Sequence, residues 1–329
     1  MIPRTADWKN ALANAVRDPA ELLALLELPQ GLLPGAREAA ARFPLRVPRG
    51  YLSRIRKGDL TDPLLRQVLP LAAEQEAIPG FSNDPVGDQE ASAARGVLHK
   101  YHGRVLLTAT GACAIHCRYC FRRHFPYAEE NPGRQNWQGI IDYLRAHPEV
   151  DELILSGGDP LMLDTPQLEQ LTRRLEQQPQ LKRLRLHTRL PVVLPERIDQ
   201  ELLGWLARLP WQPVMVIHCN HPAEIDAEVT EALGRLDAAG VTLLNQSVLL
   251  HGVNDDEQTL LQLHESLFRH RVMPYYLHLL DRVSGAAHFE VGQQQAEALL
   301  ERLRAFSPGY LVPKLVREIQ GEPNKRPVA

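Results

Sequence analysis

The sequence predicts an α/β protein whose central part is a partial (βα)6 TIM-like barrel, with a helical N-terminal region before it and a C-terminal lid segment after it. Two observations support this prediction. Six apolar, strand-like runs follow residue 100, and stretches with helical spacing of apolar residues separate them. After a first interval of 47 residues, the runs start 31, 31, 28 and 31 residues apart, and one βα unit takes roughly 30 residues.

Residues 1–100 are predicted to form the helical N-terminal region. The segment "DPAELLALLEL" (18–28) starts with Asp-Pro and has apolar residues at helical spacing, and "TDPLLRQVLPLAAEQ" (61–75) repeats this pattern. A loop rich in turn-forming residues follows over 78–96. The first 16 residues carry an acid and lack a long apolar run, so we expect no secretory signal there.

Residues 101–306 are predicted to form the barrel, and residues 307–329 the C-terminal segment. The strand-like runs lie at 104–110, 151–157, 182–188, 213–219, 241–247 and 272–279. The clearest helical stretches between them lie at 165–178, 194–209 and 226–240. The C-terminal segment has one short strand-like piece, "YLVPKLV", followed by turn formers. Sheets built from βα units carry their chemistry at the carboxyl ends of the strands, so the loops there are the places to search for functional groups.

The composition is that of a soluble globular protein, with 44% hydrophobic and 23% charged residues. A net charge of -3 gives no basic surplus that would indicate a nucleic-acid partner. No apolar stretch reaches the roughly 18 residues that a membrane span requires. Four cysteines, three of them clustered, indicate metal chemistry in a reducing compartment rather than a disulfide framework. We therefore expect a cytoplasmic protein that contacts neither nucleic acid nor membrane.

The cysteine cluster lies in "GACAIHCRYCFRRHF" (111–125) and has the spacing C-x3-C-x2-C. It directly follows the first strand-like run, so it falls in the first βα loop of the predicted barrel. A run of arginines comes immediately after it. Inert buried thiols rarely occur at this density, and the motif therefore indicates a metal centre. Its cysteines are Cys113, Cys117 and Cys120.

Two kinds of centre fit this motif. One is a structural zinc site with His116 or His124 as the fourth ligand, or with Cys219 brought close by the fold. The sequence has no second pair of closely spaced cysteines, which zinc motifs usually include. The other is a [4Fe–4S] cluster held by three cysteines, which leaves one iron open to a small bidentate ligand.

The segment "LSGGDPL" (155–161) closes the second strand with two glycines and an acid. Glycines allow backbone to approach a ligand closely, and exposed N–H groups can hold an anionic group. An ordinary strand-to-loop turn would have a similar sequence.

A C-x3-C-x2-C motif in the first loop of a partial barrel resembles the radical S-adenosylmethionine superfamily. In that superfamily, the open iron binds the amino and carboxylate groups of S-adenosylmethionine, and the reduced cluster releases a 5′-deoxyadenosyl radical from it. The superfamily also has a Gly-Gly-acid segment at the second strand, which holds the amino end of S-adenosylmethionine. The resemblance therefore gives this role to Ser156, Gly157, Gly158 and Asp159.

Further segments resemble the lysine 2,3-aminomutase family within that superfamily, from about residue 97 to the end. They are "VLHKYHGRVLL", "CRYCFRRHFPY", "LSGGDPL", "NHP", "LLNQSVLL", "VNDD", "PYYLHLLD" and "GYLVPKLV". The N-terminal segments "FPLRVPRGYLSRI" and "DPLLRQVLP" resemble the subgroup of short bacterial members that make (R)-β-lysine for modifying elongation factor P. Members of the family also use pyridoxal 5'-phosphate.

The resemblance assigns the pyridoxal phosphate site to two parts of the chain. The sequence contains six lysines. Of these, Lys325 matches the lysine in the family's C-terminal segment that bonds to the cofactor. Lys314, in the strand-like piece, is the alternative. The resemblance assigns phosphate binding to Arg104 and Lys100 at the first strand and places Tyr101 beside the ring. Cationic side chains are suited to bind the phosphate of such a cofactor.

The resemblance also assigns the substrate, L-lysine. Arg122 matches the arginine that pairs with the substrate carboxylate, and Asp281 matches a carboxylate that receives the side-chain ammonium. Glu318 matches a second such carboxylate, at a position where better-known lysine enzymes have Asp. This difference leaves the turnover rate and the configuration of the product open. His218 and Gln246 match positions at the adenosine end of S-adenosylmethionine.

Together these assignments imply an isomerase that converts L-lysine to β-lysine, with a one-electron reductant of flavodoxin or ferredoxin type. The subgroup implies a functional link to elongation factor P and its lysyl-ligase, and homo-oligomerisation stays open. One alternative is a catabolic amino-acid 2,3-aminomutase with the same chemistry. The chain ends four residues after Lys325, without the cysteine-bearing extension of the longer catabolic enzymes, which favours the modification enzyme. The second alternative is a non-enzymatic zinc or iron–sulfur module.

Overall fold

The computed structural model describes residues 7–130 and 137–328. Residues 1–6 of the predicted N-terminal region and residue 329 of the predicted C-terminal segment lie outside this part. The described residues form an α/β fold around one ten-stranded sheet whose strands follow chain order. The strands are β1 (Ser92–Ala94), β2 (Val97–Tyr101), β3 (Arg104–Thr110), β4 (Glu152–Gly157), β5 (Arg183–Thr188), β6 (Pro213–Ile217), β7 (Thr242–Val248), β8 (Val272–His278), β9 (Lys314–Arg317) and β10 (Arg326–Pro327).

Helices precede the sheet and connect its parallel strands. Before the sheet lie α1 (Trp8–Ala13), α2 (Pro19–Leu25), α3 (Leu33–Arg42), α4 (Arg49–Leu52) and α5 (Pro63–Arg66). After β3 come α6 (Tyr127–Glu130), α7 (Gln138–Ala146), α8 (Thr165–Leu175), α9 (Leu190–Val193), α10 (Gln200–Ala207), α11 (Ala227–Ala238), α12 (Glu257–Arg269) and α13 (Gln293–Phe306). Short 3-10 turns lie at 30–32, 72–75, 160–162, 195–197, 222–224, 287–289 and 309–311.

The six predicted strands are β3 to β8, and each begins within one residue of its predicted start. Each pairs in parallel with the next, so the carboxyl ends of all six lie at one edge of the sheet. β4 is buried along almost its whole length, as expected of a parallel strand covered on both faces. The predicted α/β class is confirmed.

Local signals in the sequence explain where the connecting helices begin. Asp side chains cap the N-termini of α8, α10, α11 and α12, each by accepting a hydrogen bond from a backbone N–H in the first turn. The capping residues are Asp164, Asp199, Asp226 and Asp256. At α8 the cap is a complete capping box with Gln167.

Residues 92–94 and 97–101 form two strands, although the sequence analysis placed residues up to 100 in a helical N-terminal region and 78–96 in a loop. β1 and β2 pair antiparallel with each other, and β2 pairs antiparallel with β3. The turn between β2 and β3 contains Gly103 with φ +73°, a backbone conformation that favours glycine. This hairpin brings Lys100 and Tyr101 next to the start of the first parallel strand.

The C-terminal segment is anchored to the far edge of the sheet. β9 pairs in parallel with β8, and β10 returns antiparallel along β9. Lys325 stands directly before β10, so these pairings fix its backbone beside the sheet. The strand-like piece predicted at 310–316 is therefore partly a 3-10 turn and partly β9.

The N-terminal helices and the sheet share one hydrophobic core. Side chains such as Leu22 and Leu64 from the helices belong to the same buried cluster as Val105, Leu155 and Leu186 from β3, β4 and β5. A second cluster joins α13 to β8 and β9. Within residues 7–130 and 137–328, no helix is long and apolar enough to span a bilayer.

Candidate active site

One cavity of about 480 Å³ is lined by residues from the loops at the carboxyl ends of the parallel strands and by residues at the start of β3. Apart from the alternatives Lys314, His124 and Cys219, every site residue that the sequence analysis named contributes to its wall, although these residues lie up to more than 200 positions apart in the chain. The residues are Lys100, Tyr101, Arg104, Cys113, Cys117, Cys120, Arg122, Ser156, Gly157, Gly158, Asp159, His218, Gln246, Asp281, Glu318 and Lys325.

The three cysteines form one part of the cavity wall, in the loop after β3. Each is partly buried and free of disulfide bonds. Burial raises the pKa of Cys113, and it raises the pKa of Cys120 to about 11. The Sγ atom of Cys117 accepts a hydrogen bond from Nη1 of Arg189 at 2.7 Å. The site thus presents three soft sulfur donors, one of which already faces a cation.

The geometry gives no support to the zinc alternative. His116 Nδ1 lies 2.8 Å from the carbonyl oxygen of Pro44, and His124 Nε2 lies 3.1 Å from that of Ser284. Cys219 is fully buried, with its Sγ 3.5 Å from the carbonyl oxygen of His221. Among the described residues, no three His, Cys, Asp or Glu side chains converge closely enough to hold a single ion.

The same donor set fits an iron–sulfur cluster. A cubane places each thiolate on a different iron, so the sulfurs need to surround a cluster rather than converge on one ion. Three cysteines on the wall of a roomy cavity can bind three irons of such a cluster, which leaves the fourth iron for a small ligand.

The Gly-Gly-Asp segment packs against the cysteine loop itself. A Cβ on Gly157 would lie 2.4 Å from the carbonyl oxygen of Thr110, and one on Gly158 would lie 2.3 Å from that of Ala112. The N–H of Gly158 donates to Thr110 at 2.7 Å, and the N–H of Asp159 donates to Ala112 at 2.8 Å. The expectation that these N–H groups are exposed to a ligand is therefore wrong; the glycines allow two loops to touch.

Asp159 joins this loop to the loop after β5. Its carboxylate accepts hydrogen bonds from the Thr188 hydroxyl at 2.7 Å, from the N–H of Arg189 at 2.7 Å and from the N–H of Leu161 at 3.0 Å. Burial raises the pKa of Asp159 to about 6. Both carboxylate oxygens are already engaged, so in this structure Asp159 orders the loops around the cysteines.

A chain of alternating charges forms the opposite part of the wall. Lys325 is ion-paired with Glu318, whose other oxygen lies 2.9 Å from Nζ of Lys100. Lys100 in turn lies 2.5 Å from Asp88, and Asp88 accepts a hydrogen bond of 2.6 Å from Nε of Arg122. These side chains are all largely buried. The predicted cofactor lysine and the predicted substrate arginine thus belong to one network.

Asp88 is a site residue that the sequence reasoning missed. It stands in the turn-rich loop 78–96, where an acidic residue is an ordinary surface feature and gives no signal. In the fold it is 2% exposed and holds two of the predicted ligand-binding cations, Lys100 and Arg122. Arg122 also donates to the Ser156 hydroxyl at 3.2 Å, which ties the network to the β4 loop.

The two predicted ammonium-binding carboxylates differ in protonation. Burial alone would raise the pKa of Glu318, but Lys325 and Lys100 together hold it well below its usual range. Burial and the nearby Glu318 charge raise the pKa of Asp281 to about 7. Glu318 is therefore ionised in this structure, whereas Asp281 is close to half protonated at neutral pH.

Aromatic and cationic side chains surround the start of β3. The Arg104 guanidinium lies 4.8 Å from the ring centre of Tyr101. Arg185, on β5, also lines the cavity; its Nη2 donates to Glu152 at 2.7 Å, while its buried Nε has no hydrogen-bond partner among the described residues. Such an unsatisfied donor fits an anionic group, and sequence reasoning did not find it because strand arginines commonly face solvent.

His218 and Gln246 contact each other at the ends of β6 and β7. Gln246 Nε2 lies 2.8 Å from His218 Nε2. Burial and the positive charge of Arg189 lower the pKa of His218 to about 3, so its imidazole is neutral. A neutral imidazole and an amide suit an uncharged polar ligand group such as a nucleoside.

Comparisons with known proteins bear on the cluster and on the fold. Residues 102–189 match a family model described as a 4Fe-4S single cluster domain. The fold matches a radical SAM methyltransferase from Sphaerobacter thermophilus with a TM-score of 0.50, at 17% identity, over 67% of this chain and 68% of that one. The family match confirms the prediction of a [4Fe–4S] cluster in the stretch that contains the cysteine motif.

Similarity to curated proteins extends over nearly the whole chain. The L-lysine 2,3-aminomutase of Escherichia coli K12 is 52% identical over 99% of this chain and 95% of its own length. That of Haemophilus influenzae is 49% identical over 99% of this chain and 96% of its own length. That of Clostridium subterminale is 35% identical over 98% of this chain and 77% of its own length. The chain therefore belongs to the lysine 2,3-aminomutase family of radical S-adenosylmethionine enzymes.

Proposed function

We propose that this protein is an L-lysine 2,3-aminomutase that uses a [4Fe–4S] cluster, S-adenosylmethionine and pyridoxal 5'-phosphate to convert L-lysine to β-lysine. One observation carries the proposal: a single cavity holds the three cysteines on one side and the Lys325–Glu318–Lys100–Asp88–Arg122 network on another. Radical formation and amine binding could then take place in one shielded space.

The cysteine side of the cavity would hold the cluster and S-adenosylmethionine. Cys113, Cys117 and Cys120 would bind three irons, and the fourth would take the amino acid end of S-adenosylmethionine. The 156–159 segment would fix the position of the cysteine loop through its backbone hydrogen bonds. His218 and Gln246 would receive the adenosine end as a neutral hydrogen-bonding pair.

The opposite side would hold pyridoxal phosphate and the substrate. Lys325 would bond to the cofactor, and Arg104, Lys100 and Arg185 would face its phosphate, with Tyr101 against the ring. When bound, the cluster with S-adenosylmethionine supplies the radical that removes hydrogen, and pyridoxal phosphate supplies a conjugated ring that stabilises the radical during nitrogen migration.

Substrate lysine carries three charged groups, and the network offers opposite charges for two of them. Arg122 would bind the carboxylate, and Asp281 with Glu318 would bind the side-chain ammonium. An ammonium beside Asp281 would favour the ionised carboxyl, because an opposite charge stabilises the charged form. Substrate binding would therefore release a proton from Asp281 at neutral pH.

Several finer features belong to the same proposal. The sheet would curve into a partial (βα)6 barrel, with 1–100 as the N-terminal region, 101–306 as the barrel and 307–329 as the segment that carries Lys325. The product would be the R form of β-lysine, used to modify elongation factor P in the cytoplasm with its lysyl-ligase. A flavodoxin or ferredoxin would supply the electron.

Anaerobic reconstitution tests this function. The purified protein, loaded with iron and sulfide, should produce β-lysine from L-lysine only when S-adenosylmethionine, pyridoxal phosphate and dithionite are all present. Lys325→Ala should abolish the product, whereas Lys314→Ala, a change at an exposed lysine on β9, should retain it. Absence of β-lysine with the wild type, or its persistence in Lys325→Ala, would contradict the proposal. Resolving the enantiomers tests the R assignment.

A further inference from the structure

Arg189 is a buried cation that the proposed reaction does not use directly. It follows β5 and is 5% exposed. Its Nη1 donates to Cys117 Sγ at 2.7 Å, while its backbone N–H donates to Asp159 at 2.7 Å. The second contact fixes the main chain, so the guanidinium is directed at the cysteine loop from a fixed position.

The other side of the guanidinium is held by partners from distant parts of the chain. Nη2 donates to Gln67 at 2.7 Å and lies 3.3 Å from a carboxylate oxygen of Glu224. The rings of Tyr119 and Tyr51 lie 5.6 and 5.8 Å from the guanidinium carbon, within cation–π distance. Burying an arginine is costly unless it is paired, and this set of partners holds the charge against Cys117.

We propose that Arg189 is a positioning residue that raises the reduction potential of the cluster bound by Cys117. This inference rests on the proposed function, because it requires the cluster at this site. One-electron reduction adds a negative charge to the cluster and its thiolates. A cationic N–H donor at a ligand sulfur stabilises that added charge, so the reduced form becomes easier to reach.

Glu224 opposes this effect. Its fully buried carboxylate lies beside Arg189 and offsets part of the positive charge that Cys117 experiences. Gln67 is neutral and donates to Glu224 at 2.7 Å, so it orders the pair without adding charge. Replacing Arg189 and replacing Glu224 should therefore shift the reduction potential of the cluster in opposite directions. General disruption of the site would not produce this pair of results.

The test is a redox titration of the reconstituted holoenzyme without S-adenosylmethionine, in which the reduced cluster is measured by its electron paramagnetic resonance signal. In Arg189→Gln, the ratio of reduced to oxidised cluster at a fixed potential should fall severalfold, since the cationic donor stabilises the more negative reduced form more than the oxidised form. In Glu224→Gln, the ratio should rise. Iron content and melting temperature are measured on the same samples.

Arg54→Gln is the matched control. Arg54 is also a buried arginine, and it bonds to Asp226 and to the carbonyl oxygen of Glu224, but it contacts no cysteine among the described residues. Its variant should leave the ratio close to that of the wild type. If Arg189→Gln does not assemble a cluster, Arg189→Lys, which keeps the charge but loses the planar fork, should give an intermediate ratio.

Two results would overturn the inference. One is a ratio in Arg189→Gln or Arg189→Lys equal to that of Arg54→Gln. The other is an unchanged ratio combined with weaker S-adenosylmethionine binding, which would make Arg189 a ligand of that molecule alone. If the wild type binds a cluster but makes no β-lysine with dithionite, the proposed function fails, whereas the titration still tests Arg189.

Discussion

Replacing Gly158 by alanine should separate the cysteine loop from the β4 loop. The new Cβ would lie 2.3 Å from the carbonyl oxygen and 2.7 Å from the carbonyl carbon of Ala112, so main chain has to move. Overpacking costs about 1–3 kcal/mol. The two backbone hydrogen bonds to Thr110 and Ala112 add about 0.5–1.5 kcal/mol each if lost. The total loss is roughly 2–6 kcal/mol.

Chemical denaturation of the apoprotein measures this loss, and iron content after reconstitution reports on the cysteine loop. We expect Gly158→Ala to lose stability by that amount and to bind less iron. Gly234→Ala is the control, because Gly234 lies in α11 and a methyl group added there would have no neighbouring atom within 4 Å among the described residues. That change should stabilise the protein by about 0.5–1 kcal/mol. Wild-type stability and full iron content in Gly158→Ala would refute the close-packing argument.

Two further predictions concern buried charges. Glu74 is ion-paired with Arg118 at 2.5 Å and Arg123 at 2.6 Å, so Glu74→Gln should cost about 3–5 kcal/mol in a denaturant titration; a loss no larger than in surface Glu38→Gln would contradict this. Burial raises the pKa of Asp281 to about 7, above its unfolded value. The folded apoprotein therefore holds a proton on Asp281 that the unfolded chain loses, and the contribution of Asp281 to stability should fall between about pH 4 and 7. The stability of Asp281→Asn relative to the wild type should rise across that window; a constant difference would show that Asp281 does not titrate there.

The sequence predicted the sheet well because each parallel strand is a local signal. A buried apolar run between turn formers can be read from its own residues, and the spacing of the runs gives the order of the strands. The cysteine motif is equally local, since three ligands lie within eight positions. Its place directly after β3 followed from these two facts.

What the sequence could not predict depends on contacts between distant loops. Asp88 and Arg189 read as ordinary loop residues, and only the fold brings them to Lys100 and Cys117. Arg118 and Arg123 had no specific role in the sequence, whereas in the fold they share Glu74, from the 3-10 turn at 72–75. Such pairs form through tertiary packing. The spacing of residues within one segment does not show which distant segments that segment will contact.

The charge network explains how a deep site can be ready for charged ligands before they arrive. Lys325, Lys100 and Arg122 carry three positive charges, and ionised Asp88 and Glu318 balance two of them. A buried cation without a counter-charge is costly, so each cation needs a partner in the unliganded protein. The remaining positive charge favours an anionic ligand. Because Glu318 bridges Lys325 and Lys100, a phosphate or carboxylate that draws either lysine away would free Glu318 for an incoming ammonium. The proposed binding of cofactor and lysine would then exchange ion pairs rather than create isolated buried charges.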